Sequence, residues 1–321
     1  MKANTNLHIA KDARNDEFYT QYHDVESEVC NYADDLKGKI VYCNFDRPGL
    51  SAFWKYFHEN FNALGLKKLI ATYHDTNLPV YKMEYTGGND ADIFAGAKTL
   101  LSGDGDFLSE ECIAVLKNCD IIVTNPAFSL FKDLVSLLTQ YDKLFLLVGN
   151  RNAITCKSVF PLVKDNKIRF GYNNIRQFVQ PDGTLKSFGN IGWYTNLDVK
   201  KSHVPLILDK HYVSEKYPKY VNLDAINVDK ISDIPCDYYG IMGVPITYLD
   251  RHNPDQFELV GYNLNEYVEE LGIQPVGEDW VKLYREQGGT ANITANTHYL
   301  VYIKDGIAVS PYRRVLIRRK R

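Results

Sequence analysis

Between residues 39 and 148 short apolar stretches alternate with stretches of helical periodicity, and no other feature of the chain restricts its fold so strongly. KIVYCN, residues 39–44, reads as a strand entering the loop FDRPGLS. Phe53, Trp54, Phe57, Phe61 and Leu64 then recur at three- and four-residue spacing, which predicts a helix stopped at Gly65. KKLIATYHD follows as a second strand ending at an acid, VYKMEY as a further strand and GGND as a turn. A helix over Glu110–Lys117, a strand over Asp120–Val123, a helix over Leu130–Leu138 and a strand over Lys143–Val148 complete three alternations. Such a pattern predicts an α/β fold with a doubly wound, Rossmann-like parallel sheet and ligands at the carboxyl ends of its strands.

Beyond about residue 170 the character changes. FGYNNIRQFVQPDGTLKSFGNIGWYTNL predicts a hairpin turning at PDG, and the segment from Pro205 to Ile246 is dense in Tyr, Pro, Asp and Lys with little periodicity. A short helix, Leu264–Leu271, and a closing strand pair, HYLVYIKDGIAV with RRVLIRRK, end the chain. The expected organisation is an α/β domain over 1–200 and an irregular, aromatic-rich domain over 201–321. Hydrophobic residues at 45% and charged residues at 24% exclude intrinsic disorder and collagen-like repeats. No apolar run approaches the ~18 residues of a membrane span, and the polar start MKANTNLHIAKDARNDEF lacks a secretory core, so a cytoplasmic protein is expected. The six cysteines show no CxxC spacing and no adjoining His pair; free thiols are expected, with neither a metal site nor a disulfide framework. The net charge is only −3, yet Arg313, Arg314, Arg318, Arg319, Lys320 and Arg321 crowd the last ten residues without an acid. That patch suits nucleic-acid phosphate.

One tetrapeptide carries chemistry: Asn125-Pro126-Ala127-Phe128, directly after the apolar DIIVT. It is one residue away from the [DNS]-P-P-[YFW] signature of amino-group methyltransferases. An exocyclic amine is a poor nucleophile because its lone pair is delocalised into the neighbouring π system. The amide oxygen of Asn125 and the carbonyl of Pro126 can each accept one of its N–H groups, bonds that strengthen as the nitrogen becomes pyramidal. Phe128 can stack on the ring that bears the amine and position it. Ala127 replaces the second proline, which removes rigidity worth about 0.4–1 kcal/mol but leaves both acceptors.

The chain resembles EcoRI-type adenine-specific DNA methyltransferases along nearly its whole length. The matching segments include NDEFYTQYHDVESEV, DRPGLSAFWKYF, GDGDF, DIIVTNPAFSLF, LVGNRNAIT, GNIGWYTNL, YPKYVNLDAINVDKISDIPCDYYGIMGVPITYLD and LIRRK. Their order is similar to the γ arrangement, with donor segments first, NPAF next and the target-recognition region last. The resemblance implies S-adenosylmethionine as donor, S-adenosylhomocysteine as product and N6 of an adenine flipped out of double-stranded DNA as acceptor. It implies that Phe18, Tyr19 and Thr20 border the donor's methionine end and that Asp46 and Pro48 meet its ammonium. Asp75 is then placed at the ribose, and Asp106 with Phe107 at the donor adenine, with Asp104 as rival to Asp106. Asn125, Pro126 and Phe128 hold the target base, Trp193 and Tyr194 offer a second stacking face, and Arg313, Arg314, Arg318 and Arg319 meet DNA phosphate. The family's loop NFDRPGLS has no GxGxxG. A monomer in the nucleoid is expected, with a cognate restriction endonuclease sharing the site but no stable complex. Two alternatives stay open on the residues: a catalytically degenerate DNA-binding protein, marked by Ala127, or methylation of an RNA base or a protein Gln amide.

Overall fold

A computed structural model of the chain describes residues 18–88, 91–180, 182–262 and 267–321. Asn89 and Asp90 of the GGND turn, Pro181 of the PDG turn, Asn15–Glu17 and the start of the Leu264–Leu271 helix lie outside the described residues; the helix is described over Val268–Leu271. The chain divides into two compact units. One contains residues up to Ile154 together with Ile168–Asp198, the other Thr155–Lys167 with Val199–Arg321. The segment 155–167, expected in the first domain, therefore belongs to the second, where the helix Phe160–Lys164 buries Phe160 against Tyr262 and Tyr267.

The first unit is built on an eight-stranded sheet. Its strands are β1 (Ile40–Cys43), β2 (Lys68–Ala71), β3 (Tyr81–Tyr85), β4 (Ala97–Leu100), β5 (Ile121–Thr124), β6 (Leu144–Asn150), β7 (Arg169–Val179) and β8 (Leu185–Thr195). The order is β4-β3-β2-β1-β5-β6-β8-β7. The central β2, β1, β5 and β6 are parallel, as the strand–helix alternation requires. The strand over VYKMEY departs from an all-parallel sheet: β3 pairs antiparallel with β2, and β4 antiparallel with β3. Residues 72–80 hold no helix, and a parallel return needs a crossover of a dozen residues or more, so the chain can only double back. β7 and β8 add an antiparallel hairpin to the other edge. β5 lies between two strands with all four residues buried, which explains its unbroken apolar sequence. The helix Ala52–Glu59 buries Phe53, Trp54, Tyr56, Phe57 and His58, and each large apolar side chain it removes from water contributes about 1.5–3 kcal/mol.

The second unit contains β9 (Ala225–Asn227), β10 (Ile241–Pro245), β11 (Phe257–Tyr262), β12 (Tyr302–Lys304), β13 (Ile307–Val309) and β14 (Arg314–Arg319). The expected pairing of HYLVYIKDGIAV with RRVLIRRK is corrected. KDG is itself a turn, with Asp305 and Gly306 both at positive φ, and closes a β12–β13 hairpin. β14 instead lies inside a four-stranded sheet of order β11-β14-β10-β9, with Val315, Leu316 and Ile317 wholly buried.

Candidate active site

Residues that follow β1, β2 and β5 share the carboxyl edge of the parallel strands. Asp46, three residues past β1, is 6% exposed. The Ser51 hydroxyl donates to its Oδ1 at 2.5 Å and the Thr124 hydroxyl to its Oδ2 at 2.7 Å. Ser51 also caps the helix Ala52–Glu59, accepting from the amides of Phe53 and Trp54. The loop without a glycine fingerprint thus still points a helix N-terminus at the strand end. Burial pushes the Asp46 carboxyl up to about 6, against the two hydroxyl bonds that pull it down. Each carboxylate oxygen keeps acceptor capacity for a cation. Pro48 is buried in the same loop.

Thr124 joins this carboxylate to the tetrapeptide, because Asn125 is the next residue. The Asn125 amide NH2 donates to the Phe18 carbonyl at 2.5 Å. Only the NH2 can do so, which fixes Oδ1 as the other end of the amide. That Oδ1 is buried and has no hydrogen-bond partner among the described residues. Phe18 is held in place because Tyr19 and Val179 exchange both backbone hydrogen bonds at 2.9 Å. Tyr19 is 45% exposed, whereas Thr20 is buried with Oγ1 unpartnered. Asn44, just past β1, likewise buries an unpartnered Oδ1. Unsatisfied buried acceptors cost about 1–3 kcal/mol each, and several at one sheet edge fit a polar ligand. Ala127 does not unmake the loop: its carbonyl accepts from Leu130 N–H at 2.9 Å, leading into the helix Phe131–Gln140.

Aromatic rings cluster on Phe18, whose carbonyl holds the Asn125 amide. Phe18 and Phe128 are stacked at 6.0 Å between centroids, and Phe178 and Phe188 meet both edge-on. The Lys186 ammonium lies 4.8 Å over Phe18 and 5.4 Å over Phe188.

The GDGDF loop docks on the end of β2. Gly105 has φ +79°, and a Cβ there would meet the Tyr73 carbonyl at 2.0 Å, so only glycine permits the approach. Asp75 N–H donates to Asp104 O at 3.0 Å, which brings Asp75, Asp104 and Asp106 together. The Asp75 carboxylate accepts from the amides of Asn77 and Leu78, and that of Asp106 from Leu108. Asp106 is exposed, while Phe107 is buried with its ring 5.3 Å from that of Phe45.

Two groups of expected residues lie elsewhere. Trp193 and Tyr194 are wholly buried, with Trp193 against Phe53 and Tyr194 against Phe131 and Phe170. They cannot offer a stacking face, because β6 pairs with β8 over residues 191–195 and puts both in the sheet interior. Residues 185–190 run past the last β6 partner and pair with β7 alone; Phe188 and Lys186 are on this overhang. In the tail, Arg314 is tied inward, its Nε donating to Asn227 at 3.0 Å and its Nη2 lying 3.4 Å from Asp229. Arg313 and Arg318 are exposed, Arg318 lies 3.6 Å from Glu258, and Arg319 stacks over Tyr239 at 5.3 Å. Reasoning from sequence missed Phe45, Thr124, Phe178, Lys186 and Phe188. The segment TLKSF before GNIGWYT does not alternate apolar and polar residues, so no periodicity signalled Phe188.

A family model described as the adenine-specific methyltransferase EcoRI matches residues 6–320. The chain belongs to this methyltransferase family. The curated Type II methyltransferase M.EcoRI of Escherichia coli is 43% identical over 299 residues, covering 83% of this chain and 92% of its own. M.MpnI of Mycoplasma pneumoniae is 38% identical over 282 residues, with 81% and 86% covered. M.MgeORF184P of Mycoplasma genitalium is 36% identical over 313 residues, with 91% and 95% covered. No solved structure matches. A free side-chain acceptor such as Asn125 Oδ1, next in sequence to Pro126 and close to Phe128, is the kind of group that can bond an aromatic amine. No described helix is long and apolar enough to cross a membrane.

Proposed function

We propose that this chain transfers a methyl group from S-adenosylmethionine to N6 of an adenine flipped out of duplex DNA at a short specific sequence. The observation that carries the reading is the buried, unpartnered Oδ1 of Asn125, oriented by the carbonyl of Phe18, a residue whose ring stacks on that of Phe128. S-adenosylmethionine supplies a methyl group on an electron-poor sulfonium. Asn125 Oδ1 and the Pro126 carbonyl accept the two amine hydrogens and turn the nitrogen lone pair out of the ring system. Phe128 stacks on a face of the base, Phe188, nearly perpendicular to Phe128, packs at its edge, and Asp46 accepts the donor's ammonium. Phe18 and Thr20 line the methionine end, Asp75 the ribose, and Asp106 with Phe107 the adenine. The residues present fit that donor: a buried carboxylate beside a helix N-terminus, and buried acceptors at Asn44 and Thr20 without partners.

We assign the chemistry to the first unit and target recognition to the second, where the exposed Arg313 and Arg318 and the half-buried Arg319 supply phosphate affinity. A monomer in the cytoplasm suffices, and a restriction endonuclease reading the same site is the natural counterpart. Ala127 does not favour the degenerate reading, since both amine acceptors remain. The test combines unmethylated genomic DNA, labelled donor and purified protein, followed by nucleoside analysis. Label is expected as N6-methyladenine and lost in Asn125→Ala; absence of label from DNA despite donor binding would overturn the reading.

A further inference from the structure

The second unit brings together three side chains that nothing in the methyl-transfer reading uses. His211 Nδ1 lies 3.0 Å from Asp237 Oδ2 and 3.6 Å from Cys236 Sγ, and one donor atom from each of the three falls within 4.8 Å of the others. Their backbones are already tied. Lys210 and Pro235 form a parallel bridge, Cys236 N–H donates to Lys210 O at 2.7 Å, and Tyr212 N–H donates to Asp237 Oδ1 at 2.7 Å. The last bond fixes the carboxylate so that Oδ2 faces the imidazole.

We infer that His211, Cys236 and Asp237 form a Zn2+ site that cross-links the segments 210–212 and 235–237. Distances support it. With Zn–S of ~2.3 Å and Zn–N of ~2.05 Å, tetrahedral angles hold sulfur and nitrogen ~3.6 Å apart, which is the separation seen between Cys236 and His211. The corresponding N···O separation is ~3.3 Å, so the His–Asp pair needs to open by only a few tenths of an ångström. A nitrogen, a thiolate and a carboxylate together favour Zn2+ over the oxygen-seeking Mg2+ and Ca2+. On binding, the metal–sulfur bond replaces the S–H bond and the proton leaves to solvent. Exposure of the His211 and Asp237 side chains, at 75% and 47%, leaves a fourth position for water. Cys236 also differs from Cys43, Cys112 and Cys119, which are buried; it is half-buried beside an imidazole. The 25-residue gap between His211 and Cys236 hides the cluster from any spacing motif.

The experiment uses the full chain, stripped with a chelator and titrated with Co2+ and then Zn2+. One equivalent of Co2+ is expected to give thiolate charge-transfer and tetrahedral visible bands, displaced by Zn2+ with a Kd of about 10 µM or below. The bands should vanish in Cys236→Ser and weaken at least tenfold in affinity in His211→Gln, yet persist in Cys30→Ser, which removes an exposed thiol. Saturating Zn2+ should raise the melting temperature of the unsubstituted chain by about 5 °C, and of Cys236→Ser not at all. Melting of both variants in chelator at the wild-type temperature establishes that they fold; if Cys236→Ser does not, His211→Gln alone decides. Absence of a one-equivalent complex, or a complex unchanged by both substitutions, overturns the site.

Discussion

At the scale of single residues, Thr124 links Asp46 to Asn125, so the proposed donor site adjoins the proposed amine acceptor, and that reading has a pH signature. Burial raises the Asp46 carboxyl from 3.8 to about 6. Between those values the folded chain holds a proton that the unfolded chain has lost, so this group's effect is to lower stability as pH rises through that window. The full cost, about 3 kcal/mol, is present above pH ~6. The donor's ammonium prefers the ionised carboxylate, so its affinity should run the opposite way and weaken as pH falls below about 6. Calorimetric titration of donor from pH 8 to 5 should record that loss; Asp46→Asn should bind weakly at every pH and lack the inflection. Asn125→Ala should retain donor binding while methylation falls about 10²–10³-fold in single-turnover assays, the scale for one lost transition-state hydrogen bond. The placement of Asp46 and Asn125 was legible in the sequence because each sits within a few positions of a strand end, where local order predicts spatial order. Phe18 as the orienter of Asn125 was not, since it acts across 107 positions through a main-chain carbonyl that no side-chain pattern reports.

At the scale of elements, the β7–β8 hairpin divides into an interior part and an overhang, and sequence alone misjudged which part keeps aromatic rings accessible. GNIGWYT has the larger aromatics, but its pairing with β6 buries them, whereas Phe188 lies where β8 has outrun that neighbour. The length of β6 relative to β8 is a tertiary property, so no periodicity within the hairpin could have given it. Phe188→Ala should therefore lower kcat/KM on duplex DNA about 10-fold with little change in melting temperature, the scale of one lost aromatic contact to the base. A 2-aminopurine placed at the target position should show reduced flipping fluorescence. The opposite pattern is expected of Glu28. It is wholly buried under the β7 bulge, accepting from the amides of Tyr172 and Asn173 at 2.8 and 2.7 Å and from the Tyr32 hydroxyl at 2.9 Å. Burial raises its carboxyl while these bonds lower it. Glu28→Ala would strand two buried amides and should cost about 3 kcal/mol or more, read as a fall in melting temperature before any change in stacking.

At the scale of the whole molecule, a chain of net charge −3 has to concentrate positive charge locally to hold duplex DNA, and the proposed place is the closing segment, with six basic residues in its last ten and no acid. That segment is not a free tail. β14 lies between β11 and β10, and its side chains divide by role: Val315 to Ile317 in the middle are buried, Arg314 is bonded to Asn227 and Asp229, and Arg313 and Arg318 at the ends are exposed. Deleting everything after Pro311 would remove an interior strand and test only folding. Charge-neutral substitutions separate the roles. Arg313→Gln combined with Arg318→Gln should leave the melting temperature unchanged, weaken binding to all duplexes alike, and make the slope of log K against log salt shallower by about 1–2. Arg314→Gln should leave that slope alone and lower the melting temperature, because it breaks a half-buried ion pair rather than a phosphate contact. A double variant with an unaltered slope would move the phosphate surface off this strand and onto other basic residues.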